Sequence, residues 1–117
     1  MVTFFFDTYA IIELLVKNPA YQKYGEEPLL TSALNKIELC WWALQRNDEP
    51  LAKILLDSIT PVEISDEVVL EGMKFRQKHK RRDISAADAI GYIYSQKNKL
   101  AFLTGDKQFK DLPGVVH

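Results

Sequence analysis

Short, wholly apolar runs alternate along this chain with longer stretches whose apolar residues recur at helical spacing, and that alternation predicts the fold. Residues 2–6 are apolar and aromatic-rich, as a buried strand requires. Residues 8–16 then carry Ile11, Ile12, Leu14 and Leu15, predicting a helix that Asn18-Pro19 breaks. Pro19 suits the first position of a short second helix through Tyr24. Residues 28–31 form a candidate short strand, and Ser32 is positioned to cap a strong helix to about Arg46. Residues 47–50 punctuate, residues 51–59 read as a further helix, and residues 61–64 read as another short strand. Ser65 or Asp66 can cap a helix to about Lys78; a charged loop, residues 79–83, leads to a helix from Ser85 to about Asn98. Residues 100–104 are the last strong strand, and Val115-Val116 a weak edge. Strands alternating with helices predict an α/β fold: a mainly parallel sheet of four to five strands with helices on both faces.

Composition adds limits. At 117 residues the chain matches one domain, and 47% hydrophobic with 26% charged residues is enough to bury one core. A formal net charge of −1 leaves any nucleic-acid surface to local patches. The single cysteine, Cys40, excludes an internal disulfide framework and fits a reducing cytoplasm. No apolar run approaches the ~20 residues of a membrane span, and Asp7 interrupts the N-terminal apolar stretch before it could serve as a secretion signal. The expectation is a soluble cytoplasmic protein without membrane contact.

Four acids carry the candidate chemistry. Asp7 directly follows the first strand and Asp106 follows the last, and ligands of open α/β sheets collect outside the carboxyl ends of the strands. Glu38 falls at the edge of an apolar arc made by Leu34, Ile37, Cys40, Trp41 and Leu44, where a carboxylate needs a compensating group. Asp88 lies in the first turn of its helix. Each has a plainer explanation. Asp7 can be a helix N-cap, Ser85-Ala86-Ala87-Asp88 fits a capping box, Thr104-Gly105-Asp106 suits a turn, and Glu38 can reach solvent. Together, one acid falls in each of four elements that a parallel sheet can gather at one edge. Four carboxylates so gathered would repel one another, and a hard divalent cation relieves that repulsion.

The segments Phe5-Phe6-Asp7-Thr8, Thr31-Ser32 through Glu38-Leu39, Ile84-Ser85-Ala86-Ala87-Asp88-Ala89 and Leu103-Thr104-Gly105-Asp106-Lys107-Gln108-Phe109 resemble, in order, those of a PIN domain. That family includes the VapC-type toxins of toxin–antitoxin pairs. The resemblance implies a Mg²⁺- or Mn²⁺-dependent ribonuclease whose metal-binding and catalytic acids are Asp7, Glu38, Asp88 and Asp106, with Thr104 at the hydroxyl position beside the last. It also implies a small antitoxin partner and a homodimer. Two segments depart from the family pattern: Tyr9 stands where a small residue is usual, and Gly91-Tyr92 replaces an alanine-rich stretch.

The only basic run, including Lys78, Lys80, Arg81 and Arg82, lies just before the Asp88 helix and could hold RNA phosphates or simply be solvated. His79 and His117 fall outside the acidic segments. Trp41, Trp42, Tyr92 and Tyr94 could stack on bases or belong to the core or an interface. Three other readings stand beside the nuclease. A binding module would keep the fold without catalysis. A phosphoacceptor receiver domain fails because Asp7 is followed by Thr8, and Ile64 by Ser65, where acids are needed. A nucleotide-binding enzyme would need glycine-rich phosphate loops that the chain lacks.

Overall fold

The structure, a computed structural model, describes residues 2–117. Strand β1, Phe4–Phe6, leads directly into helix α1, Thr8–Leu15. A 3₁₀ turn at Pro19–Tyr24 follows, with Asn18 as its cap and Pro19 in its first turn. Helix α2 spans Ala33–Gln45, α3 Glu49–Ser58, α4 Asp66–Lys78 and α5 Ala86–Lys97. Strand β2 is Ala101–Leu103, and β3 is Val115–Val116. The polar residues before the helices do what their chemistry allows. Ser32, Asp48, Ser65 and Ser85 each accept a backbone N–H from the first helical turn with a side-chain oxygen.

The sheet is parallel in the order β1-β2-β3, with Phe4, Phe5 and Phe6 paired to Ala101, Phe102 and Leu103. Alternation along the strands divides the core. Phe6 and Leu103 point toward α1, α2 and α3, packing with Ala10, Ile11, Leu39, Ala43 and Leu55. Phe5 and Phe102 point the other way, packing with Ala89, Tyr92 and Phe109 beside α5. Helices therefore cover both faces, as the α/β pattern predicts.

The strand count is corrected. Among the described residues the sheet has three strands rather than four to five. Residues 28–31 contribute one parallel bridge, Leu30 to Phe5, and the Phe6 N–H donates to the Leu30 carbonyl at 2.8 Å. Residues 61–64 contribute one bond, from the Val62 N–H to the Thr31 carbonyl at 2.9 Å. Pro28 and Pro61 begin these segments without a backbone donor, and each segment keeps the strand path without forming a ladder.

The buried faces of two helices position the site. On α2 the buried positions are Asn35, Leu39 and Ala43. The apolar arc beside Glu38 mostly faces out, with Leu34 39%, Ile37 63%, Trp41 65% and Leu44 42% exposed, while Cys40 packs against the core. On α5 the side containing Gly91, Tyr92 and Ser95 is buried, in addition to Ala89 and Ile90. Gly91 is what lets this side approach the sheet, because a Cβ there would come within 2.7 Å of the Phe5 ring and 3.2 Å of the Phe102 ring. Asp88, one turn before Gly91 and Tyr92, is thereby brought to the sheet's carboxyl edge.

Candidate metal centre

Asp7 is where the sheet ends and α1 begins. Its N–H donates to the Leu103 carbonyl at 3.1 Å, continuing the β1–β2 ladder, while its Oδ1 accepts the Ala10 N–H at 2.7 Å as N-cap of α1. The carboxylate is buried, with 1% exposure. Thr104, fully buried at the end of β2, sits beside it, and the Thr104 hydroxyl accepts the Asp106 N–H at 2.9 Å. Asp106 then caps a 3₁₀ turn, Lys107–Phe109, by accepting the Gln108 N–H at 2.9 Å. The turn and N-cap readings of these two acids are therefore both realised. Each leaves a carboxylate oxygen outside the capping bond.

Glu38 is half-buried, and its compensation is a hydroxyl: Thr8 donates to its Oε1 at 2.5 Å. Thr8 is held in turn by the Asn35 side-chain amide at 3.0 Å, and fully buried Asn35 is locked to Ser32 in a reciprocal capping box. Ser85 caps α5 by accepting the Asp88 N–H at 3.1 Å. Among the described residues, the reverse bond from the Ser85 backbone to the Asp88 side chain is not made. The Asp88 carboxylate is thus not committed to the backbone, and its local partner is the Ser85 side chain, which opposes the rise in its pKa.

Asp7, Glu38, Asp88 and Asp106 all line one open cleft of about 660 Å³, together with Thr8, Tyr9, Ile12, Trp41, Gly105 and Lys107. The electrostatics follow from this crowding. Burial pushes the Asp7 carboxyl up to about 7; Thr104 and the Ala10 N–H oppose the rise, and the Asp88 and Asp106 charges add to it. Burial, followed by the charges of Glu38 and Asp106, raises Asp88 to about 6. The cleft therefore disfavours its own negative charge when nothing neutralises it.

An all-oxygen, electron-rich donor set suits a hard divalent ion such as Mg²⁺ or Mn²⁺. Among the described residues, no three acidic, histidine or cysteine side chains converge closely enough to enclose one ion. Mg²⁺, which retains several waters and takes only one or two direct carboxylates, does not need a closed protein cage. The residues fit a partly hydrated ion.

The basic run is not in the cleft. Lys78, Lys80 and Arg81 are exposed. Lys80 lines a separate cavity of about 350 Å³ with Arg76, Gln77 and Asp83. Arg82 donates to the Gln108 carbonyl at 2.8 Å, so it braces the turn that follows Asp106. The basic residue lining the cleft is Lys107, inside the Asp106 motif. A His117 ring nitrogen lies 2.9 Å from the Asp106 carbonyl oxygen, not from its carboxylate. Of the four aromatics considered for stacking, Tyr92 is core and bonds the Pro113 carbonyl. Tyr94 packs on Phe5, and the Trp42 ring lies under the Arg46 guanidinium. Trp41 is open to the cleft. The sequence alone assigns no site role to Thr8, Asn35 or Lys107. Thr8 and Lys107 are direct neighbours of the outer acids in the chain, and Ser32-x-x-Asn35 has capping-box spacing.

Among the described residues no helix is long and apolar enough to cross a membrane. No curated protein matches the chain in sequence. A solved toxin–antitoxin complex from Klebsiella pneumoniae contains a chain similar to this one, with a TM-score of 0.76 and 25% identity, covering 98% of this chain and 96% of that one. The PIN domain family model matches residues 4–115, from the first strand into the last. That span takes in Asp7, Glu38, Asp88 and Asp106 together with residues of all three strands, and the chain belongs to the PIN domain family.

Proposed function

We propose that this protein is a Mg²⁺- or Mn²⁺-dependent endoribonuclease, acting as the toxin of a type II toxin–antitoxin pair in the cytoplasm. The carrying observation is the cleft itself: four carboxylates from four elements, two of which, Asp7 and Asp88, are pushed up by burial and by neighbouring acids. Asp7, Glu38, Asp88 and Asp106 would hold the cation, which, when bound, supplies charge stabilisation at the phosphate and lowers the pKa of water. The protein's part is positional. The Ala10 N–H and Thr104 fix the Asp7 carboxylate, Thr8 fixes Glu38, and Ser85 fixes the turn that carries Asp88. Water then attacks phosphorus in line, the P–O3′ bond breaks, and the products carry a 5′-phosphate and a 3′-hydroxyl. Lys78, Lys80 and Arg81, exposed beyond the Arg82-braced turn, supply charge for RNA phosphates.

The toxin assignment rests on family membership and on likeness over nearly the full chain to a protein solved as part of a toxin–antitoxin complex. The exposed α2 stripe of Leu34, Ile37, Trp41 and Leu44 is a surface for an antitoxin or a second copy of the chain. Trp41 belongs to both stripe and cleft, so a partner covering the stripe would also close the cleft. A second reading, a catalytically silent RNA- or protein-binding module, is favoured by one feature: the Tyr9 ring narrows the cleft beside Asp7. The test is cleavage of a fluorophore–quencher single-stranded RNA with Mg²⁺ or Mn²⁺. The nuclease reading expects cleavage by the wild type that EDTA and Asp7→Asn each abolish. A folded wild-type protein that cleaves nothing would favour the silent module.

A further inference from the structure

Tyr9 has no core role: it is 47% exposed, and its ring is part of the cleft wall. It is nevertheless held firmly. The ring covers Gly105 so closely that a Cβ added there would fall 1.9 Å from its Cε1 and 2.3 Å from its Cδ1. Its other neighbour is Tyr21, with centroids 6.3 Å apart, followed by Tyr24 at 6.1 Å and Phe4 at 5.2 Å beyond it. An aromatic chain thus runs from the core to the cleft rim and ends in an exposed face. Trp41, 65% exposed, lines the same cleft from α2.

The cleft thus offers two exposed π-faces for bases beside four acids that, with a divalent cation bound, would hold a phosphate. We propose that Tyr9 and Trp41 are stacking platforms for nucleobases of an RNA strand whose phosphate reaches the acidic cleft. Bases within a duplex already stack on one another and offer such platforms no free face. Gly105 is the positioning residue, because only its missing side chain lets the Tyr9 ring lie where it does. This inference rests on the ribonuclease reading for the cut itself, but its binding component is separately measurable.

The experiment is fluorescence anisotropy of a labelled single-stranded RNA oligonucleotide, with Mg²⁺, on an Asp88→Asn background that prevents turnover. Tyr9→Phe is expected to bind within about twofold of the parent. Tyr9→Ala and Trp41→Ala are each expected to weaken binding roughly 5- to 100-fold, the usual range for one base–aromatic stack. Tyr9→Leu, which keeps apolar packing near Tyr21, is expected to lose as much as Tyr9→Ala and covers the case in which the latter fails to fold. Gly105→Ala is expected to match Tyr9→Ala, and combining the two should add nothing, since the added methyl then meets no ring. Unchanged binding in Tyr9→Leu and Trp41→Ala, additive losses at positions 9 and 105, equal affinity for the duplex, or no RNA binding at all would each overturn the inference. Stacking-dependent binding by a wild type that never cleaves would sink the nuclease reading alone. Cleavage indifferent to both aromatics would sink this inference alone.

Discussion

Replacing Asp7 by asparagine should stabilise the metal-free protein while abolishing its chemistry. The unfolded chain releases the Asp7 proton near the ordinary 3.8, whereas the folded chain holds it to about 7. Between those values folding takes up a proton, so stability falls as pH rises and levels off above about 7. At about 1.4 kcal/mol per pH decade, the charged form costs the fold up to about 4 kcal/mol at pH 8. Asp88, raised to about 6, acts in the same direction. The substituted side chain would keep an oxygen for the Ala10 N–H, and asparagine caps helices as well as aspartate does. Its amide would face the Thr104 hydroxyl, which bonds the carboxylate in the wild type. Allowing for incomplete relaxation, Asp7→Asn should gain about 1–3 kcal/mol at pH 8 over wild type, and nothing at pH 4. Asp7→Ala should gain about 1 kcal/mol less, since it also loses the cap. Urea denaturation in EDTA at a series of pH values measures this. Added Mg²⁺ should stabilise wild type more than the variant. An Asp7→Asn protein less stable than wild type at pH 8, or one with the same pH slope, would refute the reasoning.

Other perturbations have equally definite outcomes. Thr8→Val removes the donor to Glu38 and leaves the buried Asn35 amide without its acceptor, so urea melts should show a loss of about 1–3 kcal/mol, accompanied by slower cleavage. Gly91→Val drives a branched side chain into Phe5 and Phe102 and should cost roughly 2–3 kcal/mol in the same assay. Replacing Lys78, Lys80 and Arg81 together by alanine should leave the metal-saturated turnover rate intact. It should also reduce the slope of log affinity for single-stranded RNA against log salt by about 0.7 per lost phosphate contact.

Local signals in the chain specified most helices, because Ser32, Ser65 and Ser85 stand directly before strongly periodic segments. Asp7 and Asp106 were legible as acids at strand ends, and the parallel pairing of Phe6 with Leu103 puts those ends side by side. Periodicity alone does not say which apolar face is buried. The stripe from Leu34 to Leu44 mostly faces out, since the sheet and α3 are met instead by the smaller face of Leu39 and Ala43. Similarly, glycine at 91 carries no hydrophobic signal, yet its lack of a side chain brings Asp88 to the sheet. The short strands at residues 28–31 and 61–64 could not be told from extended loop, because one or two hydrogen bonds separate the two states. The role of Arg82 was hidden for a different reason: its partner, the Gln108 carbonyl, is a backbone atom distant in sequence.

The most direct measurement is RNA cleavage with Mg²⁺ in ¹⁸O-labelled water, followed by mass spectrometry of the product ends. Hydrolysis at the four-carboxylate cleft should leave one ¹⁸O on the 5′-phosphate of the downstream fragment and a free 3′-hydroxyl upstream, with no product when Asp7→Asn replaces the wild type. A 2′,3′-cyclic phosphate without label, or cleavage that persists in that variant, would contradict it.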